Sequence, residues 1–214
     1  MRLGLYNMKY PARDLLRAVL PWFRSVDPNY VSWAMIPVGV ATAAVYYLAA
    51  TGPAYWFAVG IGLILLRMFL GTIDGLIAVE FDRASPRGEL LNRIAPELCD
   101  VMLIVALAGA RPDWLWLGLA ALGASWLTTF AGLVGLAVNQ PIKSIGPVGQ
   151  TDRLAALLLL SALAMIGSGR NWPVDMVVVF LAWCVVGGML TVAIRLTQTW
   201  RVASGGGRAD ADAA

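Results

Sequence analysis

The chain of 214 residues has no histidine, and it has only two cysteines, Cys99 and Cys184. Without histidine it lacks the commonest general base and the commonest transition-metal ligand. Any metal site must therefore use oxygen ligands from carboxylates and amides, which suit hard cations such as Mg²⁺. Two cysteines so far apart form neither a zinc-binding pattern nor a disulfide framework. We expect both to be buried as small apolar residues.

Charge is also scarce. Charged residues make up 14% of the sequence and hydrophobic residues 59%, and the hydrophobic residues form long runs. This composition excludes a soluble domain and predicts an all-α integral membrane protein. Six runs are long enough to predict transmembrane helices, and they lie at about 30–50, 54–80, 88–109, 113–138, 152–168 and 173–197.

The segment before the first run mixes basic residues with aromatic and aliphatic ones. Such a pattern is typical of an amphipathic helix that lies on an anionic membrane surface. We therefore divide the chain into a cytoplasmic interfacial helix at 1–27, a six-helix membrane domain at 28–200 and a disordered tail at 201–214. Membrane lipids are the expected partners, and nucleic acid is not.

The basic residues also predict the orientation in the membrane. Of the sixteen Lys and Arg, thirteen lie near the two termini or the loops on the same side as the termini, and only two lie in the opposite loops. Arg67 lies within a predicted span. Because positive charge accumulates on the cytoplasmic side, both termini and the loop at 81–87 are expected to be cytoplasmic. In a bacterium the membrane would be the inner one.

One stretch, residues 66–100, holds six of the thirteen acidic residues although it covers two predicted spans. Ionisable groups at bilayer depth are costly and mark functional sites by default. On a helix, the following residues form a single stripe: Arg67, Gly71, Asp74, Gly75 and Ala78. This stripe predicts either a groove of small residues that receives a nucleotide or a tight helix contact in which a neighbouring hydroxyl or amide caps Asp74.

Asp74, Gly75, Ala78 and Gly88 match the signature D-x2-D-G-x2-A-R-x8-G-x3-D-x3-D in type and spacing, and the stretch therefore resembles the CDP-alcohol phosphotransferase family. Two further segments are similar to the family, Asp27-Pro28-Asn29 and Gly146–Arg153. The resemblance implies transfer of a substituted phosphate from a CDP-linked donor, such as CDP-diacylglycerol, to an alcohol with release of CMP. It also implies a homodimer, and it assigns the four matched residues to a nucleotide groove.

The signature is incomplete at four positions, which hold Gly71, Val79, Asn92 and Pro96 where the family has aspartate, arginine, aspartate and aspartate. The resemblance implies that four aspartates hold two divalent metals and that the last deprotonates the alcohol. Only Asp74 of the four is present. Any Mg²⁺ or Mn²⁺ would therefore be held weakly or not at all, by Asp74, Asn92 and Glu89, and no catalytic residue can be assigned.

The third span carries the remaining polar residues. Glu97 falls away from the face that Asn92 occupies, and Glu89 and Asp100 are about 16 Å apart along the axis, so one ion cannot use both. Pro96 predicts either an ordinary membrane-helix kink or a freed carbonyl at Asn92 that serves as a neutral ligand.

The turn near position 84 makes the second and third spans antiparallel. This arrangement puts position 67 level with about 101, and an unpaired charge at that depth would be costly. We therefore expect a structural ion pair between Arg67 and Asp100.

Two hypotheses about function remain open. The chain is either an enzyme of the family with substitute metal ligands, or a non-catalytic relative that binds a lipid, a nucleotide or a partner protein. The number of carboxylates favours the second hypothesis, because two-metal catalysis needs more of them than the stretch supplies. A transporter is a weaker third hypothesis, because no pair of broken segments repeats between the two halves of the chain.

Overall fold

The structure, a computed structural model, describes residues 19–138, 145–170 and 172–204. The described residues form six long helices: α1 Pro28–Thr51, α2 Tyr55–Glu80, α3 Pro86–Gly109, α4 Leu115–Leu133, α5 Gln150–Arg170 and α6 Met176–Ala203. Each helix overlaps one of the six predicted apolar runs. The prediction of an all-helical integral membrane fold is thereby confirmed.

Five segments of the described chain are long and apolar enough to cross a membrane: α1, α2, α5, α6 and the segment Pro112–Val138 that contains α4. The helix α3 has a similar length, but four residues of its N-terminal half are charged: Arg87, Glu89, Arg93 and Glu97. Its crossing of the membrane stays a prediction.

The predicted interfacial helix at 1–27 lies mostly outside the described residues. The part that is described begins at Val19 and contains a short 3-10 helix, Leu20–Phe23. Leu20 is buried, and it packs in one cluster with Ile73 and Ile77 of α2. The described part of the segment before α1 is therefore anchored beside the C-terminal half of α2.

The helices pack through small residues. The helix α1 packs mainly against α2 and α3, while α4 packs mainly against α6. A Cβ atom added at Gly39 of α1 would lie 2.3 Å from the sulfur of Cys99 on α3, and one at Gly118 of α4 would lie 2.2 Å from the Cβ of Ala108. Because only glycine permits these approaches, they fix α3 between α1 and α4.

An apolar core fills the half of the bundle away from the acidic stretch. Its largest fully buried side chains include Tyr46, Ile64, Leu107 and Phe180. The Tyr46 hydroxyl lies 2.8 Å from the Ser161 hydroxyl, so this buried polar group has a partner. Both cysteines are free and buried, as the sequence predicts.

The turn between α2 and α3 has well-defined caps at both helix ends. Asp82 has a positive φ of 53°, and the Arg83 N–H donates to the Ala78 carbonyl at 2.8 Å. Together with the weaker bond from the Asp82 N–H to the Val79 carbonyl at 3.4 Å, this is a Schellman motif. Ser85 then caps α3 by accepting from the Gly88 N–H at 3.1 Å. The turn therefore holds residues 83–88 against the end of α2.

Candidate functional site

A cavity of about 510 Å³ lies between the first residues of α1, the last turns of α2 and the start of α3. The structure brings all six residues predicted for a nucleotide groove or a metal site to its wall: Asp74, Gly75, Ala78, Gly88, Glu89 and Asn92. We call this cavity the polar groove. It also borders the turn at 83–86, so it opens at the predicted cytoplasmic face.

Asp74 is the most buried charged residue of the polar groove, with 2% of its surface exposed. Its Oδ2 atom accepts from the Ser32 hydroxyl at 2.7 Å, and its Oδ1 atom accepts from the Gly75 N–H at 2.6 Å. Asp74 thus lines a cavity and is also capped by a hydroxyl of α1, as the helix-contact interpretation of the stripe predicts; that the cavity receives a nucleotide stays a prediction. Sequence reasoning missed Ser32, although it lies one helical turn after the Pro28-Asn29 entry to α1.

The other predicted metal ligands are arranged differently. Glu89 is well exposed and forms an i,i+4 ion pair with Arg93 on the same helix. Asn92 lines the polar groove as a neutral amide. Gly71, at the position of the first signature aspartate, faces α1, since a Cβ there would lie 3.1 Å from the Met35 methyl group.

These residues do not fit two divalent metals. Within the described ranges, no three or more Asp, Glu, Cys or His side chains come close enough together to hold a metal ion. A Mg²⁺ ion held by protein needs hard oxygen ligands in near-octahedral order, and a pair of such ions needs shared carboxylates. The polar groove offers one buried carboxylate that is already hydrogen-bonded and one exposed carboxylate that is paired with arginine.

A second polar region, deeper in the bundle, is a cluster of buried charges. Arg67 of α2 forms an ion pair with Asp100 of α3 through Nη2, and the same nitrogen donates to the Pro96 carbonyl at 2.6 Å. Arg153 of α5 donates from Nε to the other carboxylate oxygen of Asp100 at 2.8 Å. All three charged residues are at most 3% exposed. We call Arg67, Asp100 and Arg153 the charge cluster.

Glu97 joins the edge of the charge cluster. Its Oε1 atom lies 3.6 Å from Nη2 of Arg153 and accepts from the Thr129 hydroxyl of α4 at 2.9 Å. Glu97 therefore faces α4 and α5, and it does not line the polar groove. The cluster joins α2, α3 and α5 through one carboxylate, with α4 connected through Glu97.

The sequence analysis anticipated Arg67 beside Asp100 but missed Arg153. It counted Arg153 among the cytoplasmic basic residues, whereas the structure buries it. The sequence feature that could have indicated a role for Arg153 is its place in the Gly146–Arg153 segment, which is similar to the family. The backbone carbonyl of Pro96, at the position of the fourth signature aspartate, accepts a hydrogen bond from the Arg67 guanidinium.

The described part of the Gly146–Arg153 segment is fixed against α6. The Val148 N–H donates to the Thr191 hydroxyl at 3.0 Å, and Nε of Arg195 donates to the Ile145 carbonyl at 2.8 Å. Gly146 has a φ of 128°, and a Cβ there would lie 2.4 Å from the Thr191 methyl group, so the position requires glycine. These contacts set where α5 starts and hence where Arg153 enters the bundle.

Another cavity, of about 390 Å³, lies at the opposite end of the bundle. Arg111 crosses it to form an ion pair with Asp175, the residue that caps α6, and also donates to the Ala50 carbonyl. Trp172 covers one side. The Arg111 contacts join the ends of α1, α3 and α6.

Comparisons with known proteins support the fold and the family. No protein-family model matches the chain. The chain is 27% identical over 210 residues to the phosphatidylinositol phosphate synthase of Cutibacterium acnes, a match that covers 94% of this chain and 96% of the relative. It is also 27% identical over 151 residues to the inner membrane protein YnbA of Escherichia coli, covering 70% of this chain and 74% of the relative.

A solved structure shares the fold. It is the phosphatidylinositol phosphate synthase of Mycobacterium tuberculosis, determined with CDP-DAG bound. The TM-score is 0.67 with 18% sequence identity, and the match covers 88% of this chain and 91% of the other. The six described helices therefore have the arrangement of a known membrane fold.

Proposed function

Because the chain belongs to the CDP-alcohol phosphotransferase family, we propose that it serves phospholipid metabolism by binding a CDP-linked lipid donor in the polar groove. We further propose that it carries out little or no transfer of the family type. The observation that supports this proposal is the composition of the groove. All four matched signature residues line one cavity, yet Asp74 is its only signature aspartate.

Binding and catalysis depend on different parts of the signature. Gly75 and Ala78 are small residues of the wall, as expected for a surface that receives a flat base or a ribose close to the backbone. Gly88 has a different role, since a Cβ there would lie 3.0 Å from Oδ1 of Asn29. A Cβ added at Gly75 would meet nothing within 4 Å, so the groove is open at this point. The space for a donor is therefore present although the metal-binding carboxylates are not.

The step that follows binding lacks its chemical groups. Pro96 replaces the aspartate that the resemblance assigns as general base, and its side chain neither accepts a proton nor binds a metal. General-base assistance contributes roughly 10² to 10⁴-fold, and a metal that stabilises phosphate charge contributes several kcal/mol. We expect the rate without both to be near the background.

The two carboxylates that the enzyme hypothesis needs as substitute metal ligands are held elsewhere. Glu89 is paired with Arg93, and Asp100 lies between Arg67 and Arg153 outside the polar groove. Neither is therefore available to rebuild a metal site in the groove in this arrangement. This geometry favours the non-catalytic hypothesis over an enzyme with substitute ligands.

The proposal is tested by release of CMP from CDP-diacylglycerol with a panel of alcohols, in the presence of Mg²⁺ or Mn²⁺. We expect release at the rate of the protein-free control. Robust turnover that is abolished by Glu89→Gln or Asp100→Asn would overturn the proposal and show that the third helix carries a rebuilt metal site.

We propose that the protein forms a homodimer, as the family resemblance implies. We also propose that α3 is the sixth span and that both termini and the polar groove face the cytoplasm. The charge distribution supports the orientation. Single added cysteines at Thr51 and Ala84 test it, because both native cysteines are buried. An impermeant thiol reagent outside the cell should label Thr51→Cys and spare Ala84→Cys; the reverse pattern would refute the topology.

A further inference from the structure

We propose that Arg83 contacts the phosphates of the ligand in the polar groove, and that binding is consequently independent of divalent metal. This inference rests on the proposed function, since it concerns how the same groove holds a CDP-linked donor. It follows from the mismatch between the groove and a metal pair, and from the position of one arginine that the signature does not contain.

A CDP-linked ligand carries a negatively charged pyrophosphate, which needs positive charge or hydrogen-bond donors close by. The metal ions that the family resemblance implies would supply that charge, but the carboxylates of the groove do not fit them. Val79 replaces the signature arginine as well, and its side chain is 74% exposed and apolar. Two expected sources of positive charge are therefore missing from the groove.

Arg83 lies at the wall of the same cavity, four residues after Val79. The Schellman motif at the end of α2 places it there, because the Arg83 N–H is bonded back to the Ala78 carbonyl at 2.8 Å. The turn thus places the guanidinium of Arg83 near the end of α2, where Val79 replaces the signature arginine.

The surroundings of Arg83 leave its charge available. Its Nη1 atom donates to the Val26 carbonyl at 3.1 Å, and its guanidinium carbon lies 6.0 Å from the centre of the Phe81 ring. No carboxylate of the described residues forms an ion pair with it. The backbone contact and the ring hold the side chain without neutralising it. A guanidinium held in this way binds phosphate with two parallel hydrogen bonds.

Among the residues that the structure describes, the groove has no competing cation of this kind. Arg93 is paired with Glu89, and Arg87, although it lies in the first turn of α3, does not line the cavity. Arg87 is therefore a matched control, with the same side chain at a nearby exposed position. The comparison between the two arginines separates a specific phosphate contact from the general effect of a positive charge at the membrane surface.

The experiment measures binding of CMP and of CDP-diacylglycerol to the purified full-length protein in lipid nanodiscs, with Mg²⁺ and with EDTA. We expect dissociation constants that agree within about twofold between the two conditions. Arg83→Gln should weaken binding about tenfold or more, as expected for loss of a charge-assisted contact to phosphate. The dissociation constant of Arg83→Lys should lie between those of the native protein and Arg83→Gln. The dissociation constant of Arg87→Gln should stay within about twofold of the native value.

Three results would contradict the inference, and they are distinguishable. Binding that needs Mg²⁺, or binding that Arg83→Gln leaves unchanged, would overturn the role of Arg83 while leaving the proposed function intact. A native protein that binds neither ligand under either condition would overturn the proposed function and this inference together. A circular-dichroism spectrum and a melting curve of Arg83→Gln confirm that any loss reflects binding and not unfolding.

Discussion

The polar groove and the charge cluster contain ionisable residues from the same stretch of sequence, yet their environments are opposite. The groove is open, and its exposed Glu89 is paired only with a neighbour on its own helix. In the charge cluster, two guanidiniums contact the carboxylate of Asp100, and all three side chains are buried. The difference shows that an acidic residue within a membrane helix does not by itself identify a catalytic site.

The physical reason is the cost of removing charge from water. A buried carboxylate is tolerated where guanidiniums and hydrogen bonds surround it, and such a group is then committed to structure. A residue that must bind an exchangeable ligand needs an open face. Asp100 is surrounded by guanidiniums, whereas the polar groove has an open face. The two regions should therefore respond differently to substitution.

The largest effect is expected in the charge cluster. Asp100→Asn would remove the carboxylate that contacts both Arg67 and Arg153, and would leave Glu97, 3.6 Å from Arg153, as the remaining counter-charge of the cluster among the described residues. Removal of one partner from a buried ion pair typically costs about 3–5 kcal/mol, and we expect a loss of that size in the free energy of unfolding. Thermal denaturation in mild detergent measures it. The control is Asp113→Asn in the exposed connection before α4, which should change stability by less than about 0.5 kcal/mol.

If Asp100→Asn and Asp113→Asn were equally stable, the charge cluster would not be a structural element. Asp100 would then be a candidate for a functional role, and the contrast between the two regions would fail.

An intermediate effect is expected in the polar groove, and it should appear in binding and not in stability. Gly75→Leu places a side chain at an open point of the cavity wall, so we expect binding of CDP-diacylglycerol to fall about tenfold, or ~1.4 kcal/mol. The control is Gly62→Leu on the same helix, where an added Cβ also meets nothing within 4 Å but the residue does not line the cavity. Equal binding by both variants would place the ligand outside the groove.

The smallest effect is expected at the turn that carries Arg83. Asp82 adopts a positive φ, a conformation that glycine occupies without strain. Asp82→Gly should therefore raise the free energy of unfolding by less than about 1 kcal/mol, whereas Asp82→Ala should lower it by a similar amount. Chemical denaturation of the two variants checks the sign. A loss of stability in Asp82→Gly would show that the aspartate side chain, and not the backbone conformation, determines the turn.

The sequence was sufficient to predict the helices and much of the groove. Apolar runs located all six helices, and the signature spacing placed Asp74, Gly75 and Ala78 on one face of α2. The register of the antiparallel turn put Arg67 level with Asp100, and the structure brings these two side chains together. These features depend on local periodicity or on neighbouring elements, which a single sequence records.

The features that were missed depend on contacts between distant segments. Arg153 reaches Asp100 across 53 residues, and Ser32 reaches Asp74 across 42. The role of Arg83 depends on an aspartate at positive φ, a conformation for which glycine is the usual signal. No periodic pattern indicates the first two contacts, because each depends on how the helices are packed, and the turn before Arg83 lacks its usual glycine.

If the groove binds a donor that the protein does not consume, CDP-diacylglycerol bound to the protein should stay intact. Protein loaded with CDP-diacylglycerol labelled in the cytidine ring would be isolated, incubated with Mg²⁺ and the alcohol panel, and then extracted. We expect the label to be recovered as intact CDP-diacylglycerol, in an amount stoichiometric with the protein. Recovery of the label as CMP, above the amount formed by the free lipid, would contradict it.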